Sequence, residues 1–547
     1  MKARPIMLQG TSSNVGKSVL AAAFCRIFYQ DGFHTAPFKA QNMALNSAVT
    51  PDSGEIGRAQ YVQAEAAGVK PTVDMNPILM KPKQDMAAQI VVLGKPYADM
   101  TAKEYRNNFL INAHGLVQGC IDRLKEEYQV LVIEGAGSPV EVNLKDRDIV
   151  NMKTAELADS PVVLVADIDR GGVFAALIGT IELLEPEERK RIKGFIINKF
   201  RGDIDLLTPG LDFLEQRTGI PVLGVIPYIH NHGIDEEDSV WLSERNSERT
   251  TDRHIQDSNQ VAVDIAIVQY PRISNFTDFH PLLRLPDTRV RFIKAGEPIG
   301  DSDIIILPGT KNTILDLQYL REHQYDEQIS RHLQLGKRVI GICGGYQMLG
   351  RELCDPEGTE AGQGDYPGLG LLPIVTTFAH EKSTYQVETV ISAAGRLDPG
   401  SELDSESAVA SSLESKLKSQ VVSHNQEQTL RGYEIHTGKT ELTDDWEQIG
   451  QPLLQIIKRS GKQCTVTDGF ITTDGRVWGS HVHGLFDNVS FLRKLMNQMR
   501  QEKGMPVLME EQFTTYQREQ SYNQLADIVR KSIDMKRLYE IVGLGRK

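Results

Sequence analysis

Residues 5–20 read PIMLQGTSSNVGKSVL. An apolar run breaks at Gly10, five residues follow, and Gly16-Lys17-Ser18 then opens a helical pattern. Small residues let successive backbone N–H groups curl around a phosphate, and the N-terminus of the following helix adds favourable partial charge. In such a loop Gly10, Thr11 and Gly16 supply backbone, Lys17 reaches the outer phosphates, and the Ser18 hydroxyl sits on magnesium. ATP and Mg2+ are the ligands this predicts. The loop is one residue longer than the usual spacing between its first glycine and the Gly-Lys pair. A plain glycine- and serine-rich strand-to-helix turn is the alternative, and the Gly-Lys-Ser ending in this context speaks against it.

The same rhythm continues outward from the loop. QVLVIEGAG (129–137), PVVLVADI (161–168), GFIINKF (194–200) and PVLGVIPY (221–228) are short, apolar and rich in β-branched residues. Each ends in Gly, Pro, Asp or Asn, as buried parallel strands with loops at their C-terminal ends do. Helical patterns lie between the runs, over Lys17 to Gln30 and Ala102 to Glu127. Alternating β and α predicts a doubly wound parallel sheet with ligands at the C-terminal strand edge. The pattern dissolves into charged sequence over 236–260 and resumes with VAVDIAIVQY (261–270), DIIILPGT (303–310), KRVIGICGG (337–345) and RVWGSHVHG (476–484). The expected division is a first α/β domain over 1–235, a linker over 236–260, and a second α/β domain over 261–490. The second domain would carry a polar insertion at about 395–429, and a helical tail would occupy 491–547.

Composition narrows the function classes. The net charge of −13 argues against nucleic acid as the main partner, because phosphate backbones need a basic face. The five cysteines form no CxxC pair, which disfavours a disulfide framework or a structural zinc site. No signal peptide and no membrane-spanning apolar run is evident, so no membrane partner and a reducing cytosol are expected.

A second reactive segment is KRVIGICGGYQMLG (337–350). A strand drives into Cys343, flanked by Gly341 and Gly345, and a helix follows. Glycines on both sides permit a tight, strained turn that projects the thiol, and the helix N-terminus favours its thiolate. A buried structural cysteine is the alternative, and the paired glycines weigh against it. A cysteine nucleophile needs a base, and VWGSHVHGLFDN (477–488) offers His481 and His483 on one face of a strand. Periodicity does not choose between them. The oxyanion of a tetrahedral intermediate needs backbone donors, expected from Gly344 and from the Gly309-Thr310 turn in LPGTKNT (307–313).

Several of these segments resemble known families. The long loop is similar to that of dethiobiotin synthetase-type P-loop enzymes, as are FKAQN (38–42) and IEGAGSP (133–139). That resemblance implies roles for Lys39 at a strand end and for Glu134 as a magnesium carboxylate. From DSGEIGRAQ (52–60) it favours Glu55 as a further metal-side ligand, with Asp52 the rival. It also compares Asn198 and Lys199 in INKFRGD with a base-recognition position. The Cys343 segment resembles the flavodoxin-like class I glutamine amidotransferases, which select His483 because it directly precedes Gly-Leu-Phe. Those domains carry an acidic residue two positions after the histidine, where this chain has Leu485. Asp487 or another group would then orient the imidazole, or the pair works as a dyad.

The order of the two domains, with FKAQNMALNS (38–47), MNPILMKP (75–82), EGAGSPVEVNL (134–144), DIDRGGVFA (167–175), GYEIHTG (432–438) and HGLFD (483–487), resembles the cobyric acid synthase family of the cobalamin pathway. The resemblance spans nearly the whole chain. It implies ATP- and glutamine-dependent amidation of the b, d, e and g carboxylates of adenosylcobyrinic acid a,c-diamide, with glutamine and this corrinoid as substrates. Ammonia freed at Cys343 would attack a carboxylate activated as an acyl phosphate, along a sheltered path, since free ammonia is mostly protonated near neutral pH. Lys39, Gln41 and Asn42 in the amide-rich QNMALNS segment are the expected substrate-binding residues. The rival readings are cobyrinic acid a,c-diamide synthase and a non-catalytic P-loop switch protein.

Overall fold

The computed structural model describes residues 3–84, 87–230, 233–234, 261–392, 429–510, 513 and 518–545. The expected linker over 236–260 lies outside these residues, as does the polar insertion apart from Thr429, which begins a strand. The chain divides into two compact units, residues 1–237 with 517–547, and residues 238–516.

The first unit is built on a six-stranded parallel sheet. Its spatial order is Val222–Pro227, Ile192–Phe200, Val162–Asp167, Arg4–Gly10, Val130–Glu134, Thr35–Phe38. The central strands are buried on both faces, which is why they read as unbroken apolar runs. Arg4–Gly10 lies between Val162–Asp167 and Val130–Glu134, so the loop after it opens at the switch point of the sheet, where ligands bind in such folds. The helix Lys17–Gln30 starts where the sequence pattern places it. The pattern over Ala102 to Glu127 becomes a helix broken by a π-helical stretch at Tyr105–Phe109.

The helical tail divides between the units. Helix Val489–Glu502 buries Phe491, Leu495 and Met499 in the core of the second unit. Helices Arg518–Ser532 and Met535–Val542 instead cover the first unit, burying Tyr522, Leu525, Val529, Leu538 and Val542 against Leu20, Phe24 and Ile27. Polar clamps complete this layer: Arg530 pairs with Asp31 at 3.0 Å, and Tyr522 donates to Glu65 at 3.1 Å.

The second unit has a parallel core of Thr288–Ile293, Val263–Val268, Ile304–Leu307, Arg338–Ile342 and Val477–Ser480 in that spatial order. In chain order this is 2-1-3-4-5, the flavodoxin-like arrangement. Antiparallel strands Lys462–Thr472, Gly450–Arg459 and Ile374–Ile391 extend the sheet from Val477–Ser480. Strand Thr429–Leu442, which contains GYEIH, pairs with Ile374–Ile391 and with the short strand Val482–His483. Among the described residues no helix is long and apolar enough to cross a membrane.

Candidate functional site

In the first unit the loop 10–18 wraps around its own lysine. Lys17 is buried, and its Nζ donates to Ser12 O at 2.9 Å and Gly137 O at 3.1 Å. Gly16 has φ 96°, a left-handed conformation that suits glycine, and a Cβ there would lie 2.3 Å from Asn198 Nδ2. That close approach is used: Asn198 Nδ2 donates to Val15 O at 2.8 Å, and Lys199 Nζ donates to Asn14 O at 2.8 Å. Both residues expected near a base therefore tie down the loop from the next strand end but one.

Ser18 and Glu134 meet as expected, with Ser18 Oγ donating to Glu134 Oε1 at 2.7 Å. Lys39 Nζ reaches the same oxygen at 2.8 Å, and Gln63 Nε2 reaches Oε2 at 2.6 Å. Burial alone would push the Glu134 carboxyl up, but the Lys39 charge and the hydrogen bonds from Lys39, Gln63 and Ser18 outweigh it and hold it below the usual range. Asn42 joins through Gln60: Asn42 Nδ2 donates to Gln60 Oε1 at 2.9 Å, and Gln60 Nε2 lies 3.4 Å from Glu134 Oε2. Gln41 accepts from the Tyr105 hydroxyl instead. Ser18 and Glu134 offer the hard oxygen donors that Mg2+ takes alongside nucleotide phosphates, so the site fits the ion.

The two rival metal carboxylates have partners of their own. Glu55 is buried against Lys81, whose Nζ lies 2.6 Å from Oε1, while Ser47 Oγ donates to the same oxygen at 2.7 Å. Asp52 is exposed on a turn, where Thr50 Oγ1 donates to it. Among the described residues, no group of three or more His, Cys, Asp or Glu is placed to hold a metal ion.

In the second unit Cys343 sits between strand Arg338–Ile342 and helix Gly344–Met348 with φ 52° and ψ −110°. Positive φ is costly for a residue with a side chain, and such strain is held only where the surroundings enforce it. Gly345 permits the close packing of this turn, since a Cβ at that position would lie 1.9 Å from Leu307 O. The Thr310 turn is pinned by Ser274 N donating to Gly309 O at 2.8 Å and Lys311 N donating to Arg272 O at 3.0 Å. These bonds leave the intervening Thr310 N–H facing the opposite way, and a Cβ on Gly344 would lie 3.2 Å from that nitrogen. Gly344 and Thr310 are thus brought side by side next to the thiol.

His483 is buried, and its Nδ1 lies 2.7 Å from Asp278 Oδ2. Asp278 Oδ1 also accepts from Gly484 N at 3.2 Å, and the Tyr433 ring stacks on the imidazole at 5.1 Å between centroids. Asp278 lies in a 3-10 turn, Phe276–Phe279, that sequence reasoning passed over. It takes the place that neither Asp487 nor a bare dyad fills: Asp487 is exposed on its turn, and Leu485 is packed in the core. Burial opposes a charged imidazole, but Asp278 and the adjacent Cys343 push His483 up to about 10. Burial likewise opposes the thiolate, yet the charges of His483 and His481 and the Gly344 N–H hold the Cys343 thiol below its usual value. Each group thus favours the charged form of the other.

His481, the competing candidate, has its own carboxylate. Its Nδ1 lies 2.8 Å from Asp468 Oδ1, and its ring stands edge-on to Tyr346. The strand is interrupted at His481, so the two histidines reach different partners.

Comparison with known proteins agrees with this division. Residues 6–238 match the family described as the CobQ/CobB/MinD/ParA nucleotide binding domain, and residues 264–491 match the CobB/CobQ-like glutamine amidotransferase domain. The chain is 55% identical to a cobyric acid synthase of Desulforamulus reducens, over 99% of each chain. It is 46% identical to those of a Thermoanaerobacter species, over 98% of each, and of Moorella thermoacetica, over 100% of this chain and 98% of that one. On this similarity over the full length, the chain belongs to the cobyric acid synthase family.

Proposed function

We propose that the protein amidates the b, d, e and g carboxylates of adenosylcobyrinic acid a,c-diamide, with nitrogen taken from glutamine and energy from ATP. The observation that carries the nitrogen source is the Cys343–His483–Asp278 constellation on a strained elbow. The family of the chain supports the acceptor and the pathway.

The second unit, centred on residues 261–490, acts as the glutaminase. The Cys343 thiolate attacks the side-chain amide carbon of glutamine, and the oxyanion settles on the N–H groups of Gly344 and Thr310. Imidazolium His483 protonates the departing nitrogen, so ammonia leaves and a thioester remains. His483 then deprotonates the water that opens the thioester, while Asp278 keeps the imidazole in register.

The first unit, centred on residues 1–235, transfers the terminal phosphoryl group of ATP to the acceptor carboxylate with release of ADP, and ammonia then displaces inorganic phosphate from the acyl phosphate to form the amide. The loop N–H groups from Gly10 to Ser18 and the Lys17 ammonium hold the ATP phosphates, with Thr11 and Gly16 shaping the loop and Asn198 bracing it. Ser18 and Glu134 would hold magnesium, which would neutralise charge on the phosphates. Lys39 and Asn42 belong to the same Glu134 network and Gln41 lies beside them in sequence, which supports contacts to the carboxylate and amide groups of the corrinoid. Glu55, paired with Lys81, orders the neighbouring segment.

Mass spectrometry of corrinoid products formed with ATP and glutamine tests this reading. Four new amides on the a,c-diamide are expected. Amidation of the a and c positions of cobyrinic acid, with none on the a,c-diamide, would instead identify the sister diamide synthase, and no ATP-coupled glutamine hydrolysis with any corrinoid would favour a switch protein.

A further inference from the structure

Glutamine hydrolysis leaves a proton that the Cys343–His483–Asp278 set does not absorb, and the structure holds a further histidine on the strand that runs past the thiol. This inference rests on the glutaminase reading above. When ammonia leaves uncharged, R–CONH2 and H2O become R–COO⁻, NH3 and H⁺. His483 gives one proton to nitrogen as the C–N bond breaks and regains one from the attacking water. The C–S bond then breaks, and thiolate and imidazolium are restored. The proton of the nascent carboxylic acid remains. The restored pair cannot take it without quenching the nucleophile, and ammonia that takes it becomes ammonium, which has no lone pair for the acceptor.

Strand Thr429–Leu442 runs past the thiol, with Cys343 Sγ 3.5 Å from Ile435 O. The next residue, His436, has a side chain only 10% exposed, and neither ring nitrogen has a hydrogen-bond partner among the described residues. A buried polar group left in this state is costly and calls for a reason. The His436 ring stacks on His481 with centroids 4.1 Å apart and 22° between planes. Behind His481 stands Asp468, which also accepts from the His481 N–H at 3.1 Å and from Ser480 Oγ at 2.5 Å. On the strand of His436 itself, Glu434 Oε1 lies 3.8 Å from Nε2 and is held by Arg459 at 2.8 and 2.9 Å. The charged groups facing His436 are therefore His481, Asp468 and Glu434, with Arg459 beyond them. Burial and the neighbouring His481 hold the His436 imidazole below the usual histidine value, which favours the neutral ring.

We propose that His436, backed by the His481–Asp468 pair, accepts the proton of the nascent glutamate carboxyl, so that ammonia leaves the Cys343 site uncharged. The proton moves from the carboxyl oxygen to an imidazole nitrogen and passes to bulk water as glutamate departs. No oxidant or further reactant is needed.

The test uses the full chain with His436→Ala and His436→Gln. The expected result is a roughly 10²-fold fall in kcat for glutamine-supported synthesis, with KM for glutamine little changed, in both variants. Amides formed per glutamine hydrolysed should fall as well. Added imidazole should restore the alanine variant in proportion to its free base, a response that a structural role would not produce. Alkylation of Cys343 by iodoacetamide should keep its pH profile in both variants. The proposal is overturned if kcat and the coupling ratio are unchanged, if the glutamine variant behaves as wild type, if imidazole does not rescue, or if the alkylation profile shifts. Wild-type protein that hydrolyses no glutamine would instead sink the glutaminase reading itself.

Discussion

At the residue scale the second unit rests on two titrations that move in opposite directions. The Cys343 thiol is held below its usual value and His483 is raised to about 10, each favouring the charge of the other. Glutaminase activity should gain its thiolate below the usual thiol range and lose its proton donor as pH passes about 10, which a pH–rate profile would show. Asp278→Asn removes the carboxylate that raises His483, so the alkaline limb should move to lower pH. Glutamine-supported kcat should fall roughly 10²- to 10⁴-fold, and an unmoved limb would exclude Asp278 from the set. Cys343→Ala should abolish glutamine-supported synthesis while synthesis from ammonium salts persists; loss of both would show that the two activities do not separate. The cysteine and the histidine were legible because glycine spacing and the Gly-Leu-Phe sequel mark them locally. Asp278 was not, because it lies 205 residues from His483 and only the fold joins them.

At the element scale the elbow depends on how closely two strands' ends approach. A methyl at position 345 would collide with Leu307 O on the neighbouring strand, and backbone cannot yield as a side chain does. Gly345→Ala should lower stability by about 1–3 kcal/mol, read by thermal or denaturant unfolding, and should slow Cys343 alkylation as the elbow relaxes. An unchanged unfolding midpoint would show that the turn has more room than this. The phosphate loop shows the same logic, with Asn198 occupying the space above Gly16. Its strand–loop–helix form was plain from Gly10 to Ser18, whereas the bracing by Asn198 and Lys199 was not, since those residues come from a strand added much later in the chain.

At the scale of the whole molecule two chemistries share one chain. Lys17→Ala should stop amidation from both glutamine and ammonia while leaving some glutaminase turnover, and equal loss of both would contradict separate sites. The chain also returns to its first unit at the end: helices Arg518–Ser532 and Met535–Val542 bury five large side chains there. Each is worth about 1.5–3 kcal/mol, against a typical domain stability of about 5–15 kcal/mol. A chain ending at residue 516 should therefore lose ATP binding and its first-unit unfolding transition in calorimetry, and retention of both would make the tail dispensable. Residue order alone marked most parallel strands of the two units, the phosphate loop, and the candidate nucleophile with its candidate bases, because periodicity and glycine spacing act over a few neighbours. Folding alone settled the destination of the tail, the pairing of Glu55 with Lys81, and which carboxylate serves which histidine. Those choices join residues far apart in the chain, and their energies exist only once packing has brought the partners within hydrogen-bond reach.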